Sequence, residues 1–504
     1  MISPTPQSLP GFITGTCGGF WVSSGEALRR VPLLDRNGVR FGVCLGIAVD
    51  HNGSLPEEYF AENFDSTAAQ ALDALEGYLP ILSGRYALIT HLSDRTYFHC
   101  DPVGMIGAVY APETGRVASS TFLCIDRPVE WHPLYDHDRV QAGDGSYGFS
   151  HTCDTGVHRM NANHRLELDS LETKRFWPRE SDIFSAPESS NQPIYDEIIL
   201  AIRAIMSRMT TLGHTSLPLS GGNDSRILMA LAGDGVLENI DQVFSHINNY
   251  ANRRDAQVAA SLCQAKKVSH EVHDRKKITV KRYIRRLAGR QFRIASGVFA
   301  STPKEIENGL FLNVKADSVV MRGHHTNILR GQYIVTSNLK QRAKPDWQIR
   351  QMRLAGRSVS KREHIHAFES FFWKYYDDLP VNARNRSVDM MLFETRVPNV
   401  LGTLFPGQHH AFFLSPFNSR RLVQISMQPD TAYRLTNAPT TDLLLRADPV
   451  LAALPFAYEL PADLTETPEA FTKRQSRLTK GLERYVDIFG DEPPFSPDDI
   501  TPLG

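Results

Sequence analysis

Six consecutive residues, SGGNDS at positions 220–225, have the types and spacing needed to bind a phosphate group together with a metal ion. Consecutive glycines let the backbone approach a ligand closely, and a helix that begins after them presents unpaired N–H groups and a positive dipole end. The hydroxyls of Ser220 and Ser225 add donors, and Arg226 adds a fixed cation. The acid Asp224 is out of place in a site for phosphate alone, but it fits a site where it holds a Mg²⁺ that bridges to phosphate oxygens.

A strand must deliver this turn and a helix must follow it, and the flanking sequence predicts both. Leu217-Pro218-Leu219 is typical of the end of an apolar strand, and residues 226–231 continue with helical spacing. Strand and helix then alternate again, with a strand at 241–246, a helix at 254–266 and a strand at 267–272. This alternation predicts a parallel sheet with helices on both faces and a ligand at the carboxyl ends of the strands.

The SGG-x-DS pattern, with a strand before it and a helix after it, resembles the PP-loop of the ATP pyrophosphatases, which split ATP to AMP and pyrophosphate. The common phosphate loop needs a lysine after its second glycine, and this chain has none there. The resemblance implies bound ATP and Mg²⁺, with the metal at Asp224 and Asn327. The residues it implies in contact with ATP or pyrophosphate are Leu219, Ser220, Gly221, Gly222, Asp224, Ser225, Ser245, Arg322 and Gly323. The end of the second strand, residues 244–246, is expected beside the adenine.

The N-terminal part of the chain reads as β-rich, with short alternating apolar runs and one helix at 66–78. This succession, ahead of the SGG-x-DS loop, is similar to the N-terminal glutaminase-like domain of the asparagine synthetase family, a sandwich of antiparallel sheets. The resemblance implies an α+β domain at 1–180 and an α/β synthetase domain at 195–490. Residues rich in Pro, Ser and charge predict a linker at 181–194, and a proline-rich end predicts a loose tail at 491–504.

One departure from that family concerns the nucleophile for glutamine hydrolysis. Its glutamine-using members carry a cysteine as the mature first residue, whose own α-amine serves as the base. This chain begins with Met1, so the glutaminase-like domain is expected to be inactive. Cleavage before Cys17 would supply a thiol, and the other interpretation of Cys17 is a small residue in a core strand.

A third stretch, residues 319–333, resembles the second nucleotide loop of the same family, with Gly323 at its first glycine. His324 falls where the family places a catalytic acidic or tyrosyl residue, and an imidazole suits the removal of a proton from an attacking amine. Asn327 falls where the family places a second Mg²⁺-binding aspartate, and an amide is a poorer ligand than a carboxylate. Arg322 and Arg330 are candidates to neutralise pyrophosphate or a substrate carboxylate.

Residues 392–398, LFETRVP, resemble the family's Glu-small-Arg-Val-Pro segment, whose glutamate lines the acceptor side of the site. Glu394 is therefore expected to be catalytic by orienting His324, and the alternative is a salt bridge with Arg396 on a helix face. A lysine often completes the family's site, and Lys473 and Lys480 are unassigned candidates for it.

Bulk properties exclude several classes of partner. The net charge of -1 provides no global field for nucleic acid or an anionic membrane surface, and no apolar run is long enough to span a membrane. The six cysteines are scattered, which favours reduced thiols in a cytoplasmic protein.

The resemblance as a whole implies an ATP-dependent amide-forming ligase that adenylates a small-molecule or peptide carboxylate and transfers it to an amine. Some relatives that lack the glutaminase cysteine close rings instead, as β-lactam synthetases and lasso-peptide cyclases do. Two alternatives stay open: a glutamine-dependent amidotransferase after cleavage before Cys17, and a catalytically silent scaffold. A homodimer, and a partner protein bound through the N-terminal domain, are open as well.

Overall fold

The computed structural model describes residues 1–141, 147–249, 251–296, 302–330, 364–436, 438–457 and 459. The strands of these residues are β1 (Ile2–Ser3), β2 (Phe12–Cys17), β3 (Phe20–Gly25), β4 (Arg30–Leu34), β5 (Arg40–Val49), β6 (Ser83–Leu92), β7 (Arg95–Cys100), β8 (Val109–Ala111), β9 (Arg116–Ala118), β10 (His158–Arg159), β11 (His164–Glu167), β12 (Thr173–Arg175), β13 (Thr215–Pro218), β14 (Gln242–Ile247), β15 (Glu271–Asp274), β16 (Val319–Met321) and β17 (Phe412–Leu414).

The α-helices of the same residues are α1 (Pro56–Asn63), α2 (Ala71–Tyr78), α3 (Thr121–Cys124), α4 (His137–Gln141), α5 (Asn191–Met209), α6 (Asn223–Ala232), α7 (Asp234–Leu237), α8 (Ala251–Lys266), α9 (Arg282–Ser296), α10 (Lys304–Asn308), α11 (Ile365–Asp378), α12 (Ser387–Met391), α13 (Val397–Gly407), α14 (Arg420–Met427), α15 (Thr431–Leu435), α16 (Ala438–Ala447) and α17 (Pro449–Ala452). A π-helical stretch, Leu392–Arg396, joins α12 to α13.

The N-terminal part contains two six-stranded antiparallel sheets. One has the order β10-β8-β9-β1-β3-β2 and the other β12-β11-β7-β6-β5-β4. One core joins them, with Val22 and Val117 from the first sheet packed with Leu45, Ala87 and Ile89 from the second. Because side chains alternate along a strand, the second sheet uses its other face to pack on α1 and α2.

Helix α2 is shorter than the sequence predicts, because it begins at Ala71 instead of residue 66. The amide and the hydroxyl of Ser66 both donate to Oδ2 of Asp35, at 3.1 and 2.6 Å. These bonds hold residues 66–70 in turns, since a serine that bonds a distant carboxylate has left the helical ladder.

The C-terminal part is built on a five-stranded sheet of order β15-β14-β13-β16-β17, in which every neighbouring pair is parallel. Helix α5 packs against it with its apolar positions Ile198, Ile202 and Ile205, and Leu217 and Val243 face the same core from the strands. Helices α6 and α8 contribute to that core as well. An α+β part followed by an α/β part confirms the predicted order of fold classes.

Strand β15 overlaps the predicted strand at 267–272 but begins only at Glu271. Lys267 has a φ of 55°, and the amide of Val268 donates to the carbonyl of Cys263 at 2.9 Å. These residues therefore finish the C-terminal turn of α8 before the chain extends.

Further predictions concern the linker, membrane-spanning helices and the C-terminal tail. Helix α5 begins at Asn191, inside the segment 181–194 that is predicted as a linker. Over the described ranges, no helix has both the length and the apolar character needed to cross a bilayer. Lys473, Lys480 and the predicted tail at 491–504 lie outside the described residues.

Candidate functional site

The predicted cradle lies at the carboxyl end of β13, the central strand of the parallel sheet. The strand ends at Pro218 and α6 begins at Asn223, so only Leu219 to Gly222 form the turn. The amide of Leu219 donates to the carbonyl of Phe244 at 2.8 Å, and its side chain is buried. Leu219 thus fixes where the turn leaves the sheet, and its side chain belongs to the core.

The two serines of the cradle hold the turn together through their hydroxyls. Their Oγ atoms lie 3.0 Å apart, and the amide of Ser220 donates to Oγ of Ser225 at 3.0 Å. The amide of Gly222 donates to Oγ of Ser220 at 3.3 Å. The turn is therefore closed by its own hydrogen bonds, and it lies at the N-terminus of α6, where the helix dipole favours an anion.

The glycines of the cradle serve close packing and not an unusual backbone conformation. A Cβ on Gly221 would lie 2.5 Å from Cβ of Ala457 and 3.0 Å from Oδ1 of Asp255. Gly222 has a φ of -88° and a ψ of 178°, which other residues adopt readily. Close packing therefore requires glycine at position 221, whereas the backbone conformation at position 222 does not require it.

Arg226 is not part of the cradle, in contrast to the prediction. Its side chain is fully buried, and its guanidinium donates to the carbonyls of Leu454 at 2.5 Å and Pro455 at 2.6 Å. The guanidinium also lies 3.8 Å from the centre of the Phe456 ring. The cation is placed here because position 226 falls on the core side of α6, while Asp224 falls on the open side.

Asp224 connects the cradle to the second predicted loop. Its Oδ1 accepts a hydrogen bond from Oγ1 of Thr326 at 3.0 Å and from Nη2 of Arg330 at 3.2 Å, while the side chain is 45% exposed. Gly323 packs so closely on this turn that an added Cβ would overlap the carbonyl oxygen of Asp224. The two stretches that the sequence analysis singles out therefore form one site.

A buried arginine fixes the second loop through hydrogen bonds. Arg434 donates to the carbonyl of Ile328 at 2.6 Å and to Oδ2 of Asp389 at 2.6 Å. On the other side, Oγ of Ser415 donates to the carbonyl of His324 at 2.7 Å. These bonds explain how a glycine-containing loop without regular pairing keeps a fixed shape.

Ser245 positions the cradle through a hydrogen bond within the sheet. Its hydroxyl donates to the carbonyl of Leu219 at 2.7 Å and lies 2.9 Å from Nε2 of His270. The side chain is buried. Its expected direct contact with ATP is not favoured by this geometry, because the hydroxyl is already engaged on both sides.

His324 lies on the second loop with its ring against that of Phe405, at a centroid distance of 5.6 Å. Burial, followed by the charges of Arg322 and His325, holds its pKa well below 6.5. The imidazole is therefore neutral near pH 7, as a proton acceptor must be, although a low pKa makes it a weak base. Its catalytic role stays a prediction.

Glu394 does not orient His324, and that prediction is wrong. Its Oε1 accepts from Nη1 of Arg175 at 2.7 Å and from Nδ2 of Asn163 at 2.8 Å, and its Oε2 accepts from the hydroxyl of Tyr375 at 2.8 Å. The carboxylate is buried and its acceptor sites are filled. Glu394 thus links the C-terminal part to the N-terminal sheets, a contact that a motif of neighbouring residues cannot reveal.

Arg322 follows β16, and its side chain points to the α9 side of the sheet. Its guanidinium lies 5.8 Å from the centre of the Phe413 ring and borders a cavity beside α9. Its predicted contact with pyrophosphate is not supported by any of these neighbours.

Asp255 is a carboxylate of the site that the sequence analysis misses. It lies in the first half of α8, with Oδ1 against Gly221, and its Oδ2 accepts from Asn252 at 3.2 Å. A helix that follows β14 must begin near the carboxyl edge of the sheet, so the position of 255 in the chain could have indicated it.

The donors present fit Mg²⁺ bound with a phosphate. Across the described residues, no three His, Cys, Asp or Glu side chains converge to hold a metal ion. Mg²⁺ in nucleotide sites needs only one or two carboxylates, because phosphate oxygens and water complete its shell. No described residue donates to Oδ2 of Asp224, and Asn327 lies in the 3₁₀ turn Thr326–Leu329 beside it.

Cys17 is the last residue of β2 and is buried. Burial raises the pKa of its thiol to about 11, which disfavours the nucleophilic thiolate.

In comparisons with known proteins, the chain matches no protein-family model and no curated protein.

Proposed function

We propose that the chain is an ATP-dependent carbon–nitrogen ligase that adenylates a carboxylate, releases pyrophosphate and transfers the acyl group to an amine. The observation that carries this proposal is the link from Asp224, in the first turn of α6, to Thr326 and Arg330 of the second loop. It joins an acid, a cation and a helix N-terminus at the carboxyl edge of a parallel sheet, which is where such folds bind nucleotides.

Each group of the cradle has a part in the first step. An oxygen of the acid attacks the α-phosphorus of ATP, the bond to the β-phosphate breaks, and pyrophosphate leaves. The N-terminus of α6 and the hydroxyls of Ser220 and Ser225 stabilise the leaving pyrophosphate. Arg330 lies close enough to Asp224 to add its charge. When bound by Asp224 with Asn327, Mg²⁺ would supply charge neutralisation at the phosphate oxygens.

In the second step the amine attacks the acyl carbon, a carbon–nitrogen bond forms, and AMP leaves with the electrons of the broken carbon–oxygen bond. The attacking nitrogen loses a proton, and His324 is the candidate to accept it. Intramolecular attack would close a ring, as in β-lactam or lasso-peptide formation. A peptide or small molecule that carries both groups fits that version of the reaction.

The test is a pyrophosphate-release assay on the full chain with a library of carboxylates, for the wild type and Asp224→Asn. Loss of the charge should lower release on the order of 10²-fold, as for other groups that stabilise charge in a transition state. Glu238→Gln is the matched control, because Glu238 is an exposed acid at the opposite edge of the sheet. Equal release by the wild type and Asp224→Asn would remove Asp224 from the reaction.

A second candidate, a nucleotide-binding scaffold without catalysis, is favoured by one observation. Glu394, the expected acid on the acceptor side, is committed to Arg175 and Asn163 instead. A scaffold would bind MgATP, as measured by calorimetry, yet release no pyrophosphate with any carboxylate. Binding combined with release would exclude it.

A further inference from the structure

A cavity of about 250 Å³ lies between the parallel sheet and α9, next to the cradle. This volume is just below the roughly 300–1,000 Å³ of sites for drug-sized ligands. Leu287 lines it and is 54% exposed, so the cavity opens to solvent beside α9. Most of its wall is apolar and comes from strand ends, α9 and the chain around Phe311, namely Pro218, Phe244, Ile284, Leu287, Ala288, Ile306, Phe311, Leu312, Val314 and Phe413.

The polar groups of the cavity are gathered around Arg322. Among the described residues its guanidinium has no hydrogen-bond partner, and its nearest interactions are the Phe413 ring and the charge of Glu305. Nε2 of His246, in the same wall, is buried and also has no partner among those residues. Arg322 is partly buried, and a cation that has lost part of its hydration without gaining a hydrogen-bonded anion is disfavoured. A bound carboxylate would supply the missing acceptors in the forked geometry that arginine prefers.

The position of Arg322 relative to the cradle suits the reacting end of a substrate. Gly323, the next residue, packs on the carbonyl of Asp224, and the charge of Arg322 acts on both His246 and His324. Pro218, the last residue of β13 before the turn, also lines the cavity, so a carboxylate held by Arg322 would lie near the turn that is proposed to hold the triphosphate. The rest of an acid bound there would extend along the apolar wall toward α9.

We propose that this cavity binds the acid substrate, an aryl or branched-alkyl monocarboxylate, with Arg322 pairing with its carboxylate and the apolar wall holding its side chain. The adenylation of the bound acid rests on the proposed function, whereas its binding in the cavity does not. An adenine base in the same cavity is the competing occupant, since Phe244 and His246 were expected beside it. Adenine is neutral and would leave Arg322 without a hydrogen-bonded anion, since Glu305 acts on it through its charge alone among the described residues.

The experiment measures binding and adenylation separately on the full chain. Calorimetry with 3-phenylpropanoate and 4-methylpentanoate, with aspartate as the polar comparison, should give one site per chain for the two apolar acids and weaker binding of aspartate. Arg322→Gln should weaken the apolar acids by at least about 30-fold, the loss expected when one partner of a buried charge pair is removed. Arg322→Lys should restore part of that loss. Arg290→Gln, on the exposed side of α9, is the matched control and should bind like the wild type.

A second variant tests the apolar wall without changing charge. Ala288→Trp fills the cavity from the surface of α9, so it should weaken 3-phenylpropanoate strongly while leaving the Michaelis constant for ATP in pyrophosphate exchange unchanged. Absence of binding by the wild type, or equal binding by Arg322→Gln, would overturn the proposal. A raised Michaelis constant for ATP in both variants, with acid binding unchanged, would assign the cavity to adenine and overturn it too. Acid binding that depends on Arg322 without pyrophosphate release would refute the ligase while the cavity assignment stands.

Discussion

At the scale of single residues, Arg226 holds the end of the described chain against the cradle. Its guanidinium donates to the carbonyls of Leu451, Leu454 and Pro455, and the amide of Ala457 then donates to the carbonyl of Gly221 at 3.1 Å. The turn that is proposed to bind ATP is thereby covered on one side by a segment more than 220 positions away in the chain.

Arg226→Met should destabilise the fold and leave the charge of the cradle unchanged. The substitution keeps an apolar stem but leaves buried carbonyls without donors, at a cost of about 2–4 kcal/mol. The free energy of unfolding in urea measures the effect, with the exposed Arg290→Met as the control. An unchanged unfolding midpoint together with weaker MgATP binding would instead indicate that Arg226 contributes to nucleotide binding in the cradle.

The residues of the cradle could be predicted because their chemistry lies within six consecutive positions. Glu394 and Arg226 could not, because their partners are distant in the chain and only the fold brings them close. A local pattern gives the type of residue at a position, but the direction of its side chain depends on which face of the helix is buried. Position 226 is on the core side of α6, and nothing in SGGNDS indicates that.

At the scale of elements, the contact between α6 and the second loop should be sensitive to side-chain volume at one glycine. Gly323→Ala would press a methyl group into the carbonyl of Asp224, at about 1–3 kcal/mol for an overpacked contact, and should weaken MgATP binding. Gly235→Ala is the matched control, because an added Cβ on this exposed glycine of α7 would meet nothing within 4 Å. Calorimetric titration with MgATP separates the two variants, and equal affinities would contradict the contact.

The π-helical stretch that carries Glu394 gives the molecule a defined response to acid. Burial alone would raise the pKa of Glu394, but Arg175, Tyr375 and Asn163 outweigh it and hold the pKa below the usual value. The unfolded chain, with a pKa of about 4.3, therefore binds more protons here than the folded chain as the pH falls. The stabilisation that ionised Glu394 gives the folded chain is complete above the pKa that this residue has in the unfolded chain. It is lost as the pH falls through the lower pKa of Glu394 in the folded chain.

Glu394→Gln should lower the free energy of unfolding at pH 7 by about 3–5 kcal/mol, because it leaves the buried Arg175 with only the partly exposed Asp378 as its counter-ion. It should also flatten the dependence of stability on pH below about pH 4.5. Urea unfolding at a series of pH values measures both effects, with the exposed Glu172→Gln as the control. A variant with the acid sensitivity of the wild type would contradict the assignment.

The bounds of elements were harder to predict than their existence, and the reason is tertiary. Helix α2 begins late because Ser66 bonds Asp35, which lies 31 positions earlier. Strand β15 begins late because Lys267 and Val268 complete the end of α8. In both places a polar contact decides where the regular backbone starts, and the local apolar spacing does not reveal that contact.

At the scale of the whole molecule, buried polar contacts join the N-terminal sheets to the C-terminal part. Arg420 is fully buried and donates to Oδ1 of Asn163 at 2.7 Å and to the carbonyls of Cys100 and Ala162 at 2.9 and 2.8 Å. Asn418 donates to Oδ1 of Asp101 at 2.8 Å. Such contacts are satisfied only when both parts are folded and in place, since a buried polar group without a partner is strongly disfavoured.

The two parts should therefore unfold in one cooperative transition, and Arg420→Met should lower the stability of both. The substitution removes four donated bonds to the N-terminal part, at roughly 3–5 kcal/mol, because it leaves buried acceptors without donors. The neighbouring Arg421→Met is the matched control, because the ion pair of Arg421 with Glu197 is partly exposed and should contribute less than about 1 kcal/mol. Differential scanning calorimetry of the full chain measures both, with a single transition expected in every variant. Two separate transitions in the wild type, or a shift confined to one of them in Arg420→Met, would show that the parts are independent and that the cradle does not depend on the N-terminal sheets.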